Sequence, residues 1–207
     1  MNKINIIGLM TGTSCDGMDL CLIQCNLSNG IPVAKIVKTQ YVEYSEKFSK
    51  SLLQINSSSI DNIAQYHMSL GKLWATEINN WVVKNKFKID MIGIHGQTIY
   101  HKGKNASIQI GEPLYISKKL KVPVIHNFRT KDIINHGQGA PLMPIVDNWI
   151  FNDLKENVIT LNIGGISNIT IINKPIGSQE IFSKDIGPGN CLIDSWVRKN
   201  SEKKFDK

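Results

Sequence analysis

The sequence predicts an α/β fold of two similar domains, each built on a mixed sheet that opens with a β-hairpin. Three observations lead there. Short strand-like apolar runs alternate with helical stripes along the 207 residues, and clusters of Gly, Ser, Asn and Asp punctuate them. The opening pattern "INIIGLMTGTSCDGMDLCLI" returns as "VITLNIGGISNITII", again strand, glycine-serine turn, strand. The echo divides the chain into a first domain at 1–140 and a second at 141–207, the second cut short.

Taken in order, residues 4–9, 18–25 and 31–43 read as three strands, joined by the turn after "INII" and by "NLSNG", a meander and not a βαβ unit. Ser57, Ser58 and Ser59 then offer N-caps for a long helix. Ile60, Ile63, Ala64, His67, Leu70, Leu73, Trp74, Ile78, Trp81 and Val82 recur at helical spacing until the polar "KNKFK". His67, Trp74 and Trp81 lie on that stripe, His67 reading as a core or boundary histidine and the two tryptophans as core packing. "IDMIGIHG" and "SIQIG" read as strands, "EPLYISKKL" as a short helix and "VPVI" as a further strand. The turn-rich "HNFRTKDIINHGQGAPLMP" leads into a helix through "IVDNWIFNDL". After the second hairpin come a third strand near "EIFSK", a helix from about Gly189 to Asn200, and the polar end "KKFDK".

Composition narrows the function classes. A chain with 42% hydrophobic and 20% charged residues buries an ordinary core. No run reaches the roughly 18 apolar residues of a membrane span, and the N-terminal apolar run is too short for a signal peptide, so a cytoplasmic protein with no membrane partner is expected. The cysteines, Cys15, Cys21, Cys25 and Cys191, form no CxxC pair and read as reduced thiols. The net charge of +7 is scattered lysine, with Arg129 and Arg198 the only arginines, which argues against a nucleic-acid partner.

"GLMTGTSCDGMDL" carries the first chemistry. Gly12 and Gly17 let a ligand approach the backbone amides, and Thr11, Thr13 and Ser14 add hydroxyl donors, which together describe an anion cradle. It is not a Walker loop, which needs GxxxxGK[ST], nor a GxGxxG opening a helix, because strand-like sequence follows. An ordinary polar hairpin turn uses the same residue types. Asp16 and Asp19 add carboxylates that suit magnesium beside phosphate oxygens.

The motifs "GLMTGTSCDGMD", "GIHGQTIYH", "QIGEP", "NFRTKDIINHGQGAPLMP", "LNIGGISNIT" and "DIGPGNCLIDSW" resemble, in order and nearly in wording, the anhydro-N-acetylmuramic acid kinase family, from residue 8 to about 198. The resemblance implies a two-domain actin-like ATPase architecture of the ribonuclease H-like kind, whose domains each begin with a phosphate-binding hairpin. It implies a phosphotransferase with an alcohol acceptor, using ATP, Mg2+ and water to open 1,6-anhydro-N-acetylmuramic acid and phosphorylate it to N-acetylmuramic acid 6-phosphate in peptidoglycan recycling. By position, Gly12, Thr13, Ser14, Cys15, Asp16, Gly17, Met18 and Asp19 match the first ATP loop, and Asn162, Gly164, Gly165 and Ser167 the second. Asp185 matches the catalytic aspartate that activates water; capping of the following helix is its structural alternative. Asp16 and Asp19 remain the candidate Mg2+ ligands.

His95, Gln97, Thr98, Arg129 and Asp132 resemble sugar-side elements. Arg129 and Asp132 either bind the lactyl carboxylate or pair with each other. His136 and "GQGAP" read as a tight turn, and Asp194 as a surface or structural residue on the last helix. Lys184 and Ile186 depart from the family's phenylalanine and threonine on either side of the aspartate. The family's C-terminal portion, with most of the adenosine pocket, is expected to be missing. A catalytically silent remnant, or a binding protein that keeps a sugar or phosphate cleft, is therefore the alternative to an active kinase. Sugar and ATP are the expected partners, and a homodimer is held open.

Overall fold

The computed structural model describes residues 3–28, 31–151, 153–174 and 180–203. Asn29 and Gly30 of the "NLSNG" turn, and residues 204–207 of the polar end, lie outside the described residues. The chain divides into two compact units, Met1–Gly137 and Gln138–Lys207.

In the first unit, β1 (Ile4–Met10), β2 (Gly17–Ser28) and β3 (Ile31–Glu43) form the expected antiparallel meander. Two helices follow, α1 (Glu46–Leu53) and α2 (Ile60–Asn85), and then β4 (Met91–Ile94). Next come a small antiparallel hairpin of β5 (Gln97–Lys102) and β6 (Ala106–Ile110), α3 (Leu114–Leu120), β7 (Val124–Ile125) and α4 (Thr130–Ile134). The main sheet has the order β3-β2-β1-β4-β7, with β1, β4 and β7 parallel. Counted along this sheet alone, that is the order 3-2-1-4-5 of the ribonuclease H-like architecture.

Why α2 forms is plain from its ends and its stripe. Ser59 caps it by accepting the Asn62 N–H at 3.3 Å, worth about 1 kcal/mol. Lys86, in the left-handed region, closes it by donating to Val82 and Val83. Leu70, Trp74, Ile78 and Trp81 are buried in one core cluster with Ile7 and Leu9 of β1, Met18, Leu20 and Leu22 of β2, and Ile92 and Ile94 of β4. Full burial of each such side chain contributes about 1.5–3 kcal/mol. Trp74 also donates its indole N–H to the Tyr44 hydroxyl at 2.8 Å, so its one polar atom is satisfied.

Three elements differ from expectation. α1 forms where none is expected, capped by Ser45, because Leu52 finds a fully buried place. The residues after "IHG" are a strand, β5, paired with β6. The turn-rich segment contains α4.

The second unit holds α5 (Met143–Phe151), β8 (Val158–Ile163), β9 (Ile166–Asn173), β10 (Glu180–Pro188) and α6 (Asn190–Asn200). Its sheet is antiparallel in the order β10-β9-β8. On one face Thr160 donates to Asp147 of α5 at 2.7 Å, and Thr170 and Ile172 are buried. On the other face Ile159, Leu161, Ile163 and Phe182 stand more than half exposed.

Gly71 tests the packing of α2. In an open helix, Gly to Ala gains about 1 kcal/mol, but a methyl here would meet the backbone of Glu112. Gly71→Ala is expected to destabilise the chain by about 1–3 kcal/mol, the usual cost of overpacking, read as a lower urea midpoint at unchanged slope. A gain in stability would show that the α2–α3 approach is loose.

Candidate active site

The first hairpin turn, Thr11–Asp16, is held by a Cys15 N–H to Gly12 carbonyl bond of 3.2 Å, with Cys15 at φ 54°. Gly17 has no room for a side chain, since a Cβ would meet the Tyr41 hydroxyl and the Val42 carbonyl of β3. Gly12, Thr13, Ser14, Asp16 and Asp19 are exposed, whereas the Cys15 and Met18 side chains are in the core, so those two offer a ligand only backbone. Burial, with Asp16 adding to it, pushes the Cys15 thiol up to about 11, which keeps it protonated and unreactive.

Ser14 donates to Asp16 Oδ1 at 2.6 Å. Burial, and then the charge of Asp16, raise the Asp19 carboxyl. The same two causes, burial first, push Tyr41 up to about 12. Asp16 and Asp19 together make a hard-oxygen donor pair of the kind magnesium takes beside phosphate oxygens. Among the described residues no group of three or more His, Cys, Asp or Glu side chains is placed to hold a metal, so a cation here would draw its other ligands from water and phosphate.

The "HGQT" turn joins β4 to β5 alongside this loop. The His95 N–H donates to the Leu9 carbonyl at 3.3 Å, Thr11 Oγ1 to the Gly96 carbonyl at 3.1 Å, and Gln97 Nε2 to the Gly12 carbonyl at 3.0 Å. Gln97 is 1% exposed, and its Oε1 is buried without a partner. Thr98 accepts from Gln109 Nε2 at 3.3 Å. His95 Nδ1 lies 2.8 Å from the Gly96 carbonyl and so carries the proton, while Nε2 accepts from Arg129 Nε at 2.9 Å. This assignment requires a neutral ring. Burial lowers the His95 pKa most; the Gly96 carbonyl opposes that shift and the Arg129 charge reinforces it. Burial also lowers the Arg129 value. Asp132 lies on α4, exposed, with its carboxylate over Gly137.

Beside this turn is a cavity of about 450 Å3 lined by His67, His95, Gln109, Glu112, His126 and Asn127, among others. His67 is a boundary histidine, half-buried at the edge of this cavity. Its Nδ1 accepts the Gly111 N–H at 3.0 Å, which leaves the proton on Nε2 to donate to Glu112 Oε2 at 3.1 Å. The Leu114 N–H, donating to Glu112 Oε1 at 2.9 Å, does most to hold the Glu112 pKa low. Glu112, His126 and Gln109 escape sequence reading because only the β5–β6 hairpin and α3 bring them to one wall; "QIGEP" was the available signal.

In the second unit the β8–β9 hairpin turns at Gly164–Gly165, with Ser167 buried and Asn162 exposed. The Asn190 N–H donates to the Gly164 carbonyl at 2.7 Å and the Gly189 N–H to the Gly165 carbonyl at 3.0 Å, which seats the start of α6 on this turn. Asp185 is exposed on β10, next to a bulge before Gly187. It is not the cap of α6, since that position is Gly189 and no side chain caps the helix. Register puts Asn162, Asn168 and Asp185 in one row on one face. Asn168 is absent from the sequence-derived candidates because only strand pairing reveals it. Asp194 lies half-buried on α6.

Sheet order and glycine-turned hairpins define an α/β protein of the ribonuclease H-like, actin-like ATPase class, with a candidate anion loop at the first hairpin of each unit. The family model for anhydro-N-acetylmuramic acid kinase matches residues 4–207. Proteins named anhydro-N-acetylmuramic acid kinase are 37% identical in Pelagibacter ubique, over 97% of this chain and 56% of that protein, and 37% identical in Shewanella oneidensis, over 100% and 57%. One from Bacillus thuringiensis subsp. konkukian is 33% identical, over 97% and 56%. The chain belongs to the anhydro-N-acetylmuramic acid kinase family, and it spans a little over half the length of these curated relatives. Among solved structures, a Ppx/GppA family member from Aquifex aeolicus aligns with a TM-score of 0.44 at 10% identity, over 90% of this chain and 52% of that one.

Two outcomes follow from the electrostatics. Folding depresses the His95 pKa below 6.5, so the folded chain binds fewer protons than the unfolded one. That contribution to stability is complete above pH 6.5 and is lost as pH falls through and below it. Tm is expected to drop between pH 7.5 and 5.5, and His95→Gln to flatten the drop; an equal slope in the variant would show that His95 is not its source. Asp19→Asn removes a charge that burial and Asp16 disfavour, so calorimetry should give a Tm no lower than wild type. A lower Tm would make Asp19 a structural residue.

Proposed function

We propose that the chain is a cytoplasmic sugar kinase acting on 1,6-anhydro-N-acetylmuramic acid in peptidoglycan recycling, with ATP as phosphoryl donor and Mg2+ bound at Asp16 and Asp19. The observation that carries this reading is the family match over residues 4–207. Support comes from the exposed first loop, from the exposed Asp185 and from the polar wall that runs from His95 to Glu112.

In the proposed reaction Asp185 takes a proton from water as the water oxygen bonds to the anomeric carbon, and the bond from that carbon to O6 breaks. O6 then bonds to the γ-phosphorus while the bond to the ADP oxygen breaks. The exposed backbone of Gly12 and the backbone and hydroxyls of Thr13 and Ser14 bind phosphate oxygens, and the Gly164–Gly165 turn offers backbone to one. Magnesium supplies charge neutralisation at the phosphates. Arg129, held at its Nε by His95, pairs with the sugar carboxylate, and Thr98 and Gln109 contribute polar contacts.

The chain incubated with the anhydro sugar and Mg-ATP in 18O-labelled water is expected to yield a sugar 6-phosphate carrying one 18O at the anomeric carbon and none on phosphate. Asp185→Asn should lower turnover by about a hundredfold to ten-thousandfold with little change in substrate affinity. Retention of more than about a tenth of turnover would fall short of a positioned base. Binding of sugar and nucleotide without any product would favour the silent-remnant reading.

A further inference from the structure

The Gly12–Thr13 peptide decides which end of its dipole the first turn offers a ligand. A trans peptide points its carbonyl and its N–H in opposite directions, and the only cis bond among the described residues is Ala140–Pro141. The Gly12 carbonyl accepts from the buried Gln97 Nε2 at 3.0 Å and from the Cys15 N–H at 3.2 Å. With the oxygen turned toward the interior, the Thr13 N–H faces the exposed side of the turn. Glycine sets its own ψ only weakly, so the orientation depends on what holds the oxygen.

We propose that Gln97 is a positioning residue: by donating to the Gly12 carbonyl it locks the Gly12–Thr13 peptide so that the turn presents an N–H donor, and not a carbonyl, to a phosphoryl oxygen. This rests on reading the turn as a phosphate loop. Gln97 does not touch the ligand itself, being 1% exposed with its Nε2 already engaged. Its other end is buried without a partner, which costs stability. A residue serving packing alone at this place would be better apolar, so the donor end is what the position uses. Thr11 anchors the preceding residue to the Gly96 carbonyl, which also accepts from His95. The peptide is thereby registered to the turn that carries the Arg129 partner.

The test uses the 207-residue chain, with inorganic tripolyphosphate and Mg-ATP as probes. Gln97→Met keeps the volume and removes the donor. In the unliganded chain it is expected to double or broaden the Gly12 and Thr13 amide signals in nitrogen-15 NMR, and to weaken tripolyphosphate about tenfold, the loss of one charge-assisted hydrogen bond, while Tm changes little. Gln97→Glu should weaken binding further at pH 8, where its carboxylate faces the carbonyl, and recover part of it as pH falls and the carboxyl protonates to donate. Sharp, unshifted Gly12 and Thr13 signals in Gln97→Met, or tripolyphosphate affinity within twofold of wild type, would overturn the proposal. If the peptide reorients but the wild-type chain binds no tripolyphosphate, the phosphate-loop reading fails and the orienting role stands.

Discussion

The parallel pairing of β1 with β4 is the contact on which the first unit's site depends. Its register sets Ile7 against Ile92 and Leu9 against Ile94, so two chain segments about 85 residues apart end side by side. Everything polar then follows from where those strands stop. The hairpin turn leaves the end of β1, the "HGQT" turn leaves the end of β4, and side chains from each satisfy carbonyls of the other. Ligand sites gather at the carboxyl ends of parallel strands for this reason: the ladder ends there, and its last groups need partners from turns. The apolar block of Ile7, Leu9, Leu70, Trp74 and Ile78 beneath the sheet fixes that register, since a slip of one residue would turn Ile7 and Leu9 away from α2.

Local features of the sequence were legible because their causes are local. The serine caps, the helical stripe from Ile60 to Val82 and the glycine turns of both hairpins each follow from the residue and its near neighbours. What was not legible depends on partners distant in sequence. α1 has a modest apolar content and is kept by the pocket that receives Leu52. His67 sits on an apolar stripe and reads as a core or boundary histidine, while its ring spans Gly111 and Glu112, contacts 44 and 45 residues away. Met18 and Cys15 sit inside the motif that carries the resemblance, but strand alternation turns Met18 inward, and the left-handed Cys15 tucks its thiol against the Thr13 carbonyl.

The two units treat their polar groups differently. In the first, the buried polar groups of the two turns belong to a connected set in which one carbonyl, that of Gly96, serves both Thr11 and His95. Such networks narrow the geometry available to each member, because loss of one partner strands another in a low-dielectric place. In the second, Asn162, Asn168 and Asp185 lie in a row with Asn162 and Asp185 open to solvent, and rigidity comes instead from main-chain bonds between the Gly164–Gly165 turn and the start of α6. Glycine at 189 is required for that seat, since a side chain there would strike the Gly164 carbonyl and Ser167.

The outer face of β8 has a consequence for handling the chain. Among the described residues β8 has no strand on its far side, and Ile159, Leu161 and Ile163 project from it into solvent. An edge strand with isoleucine and leucine at alternate positions is a template for strand addition, and no charged side chain stands between Val158 and Ile163 to blunt it. Such an edge works against the net charge of +7, which holds copies of the chain apart.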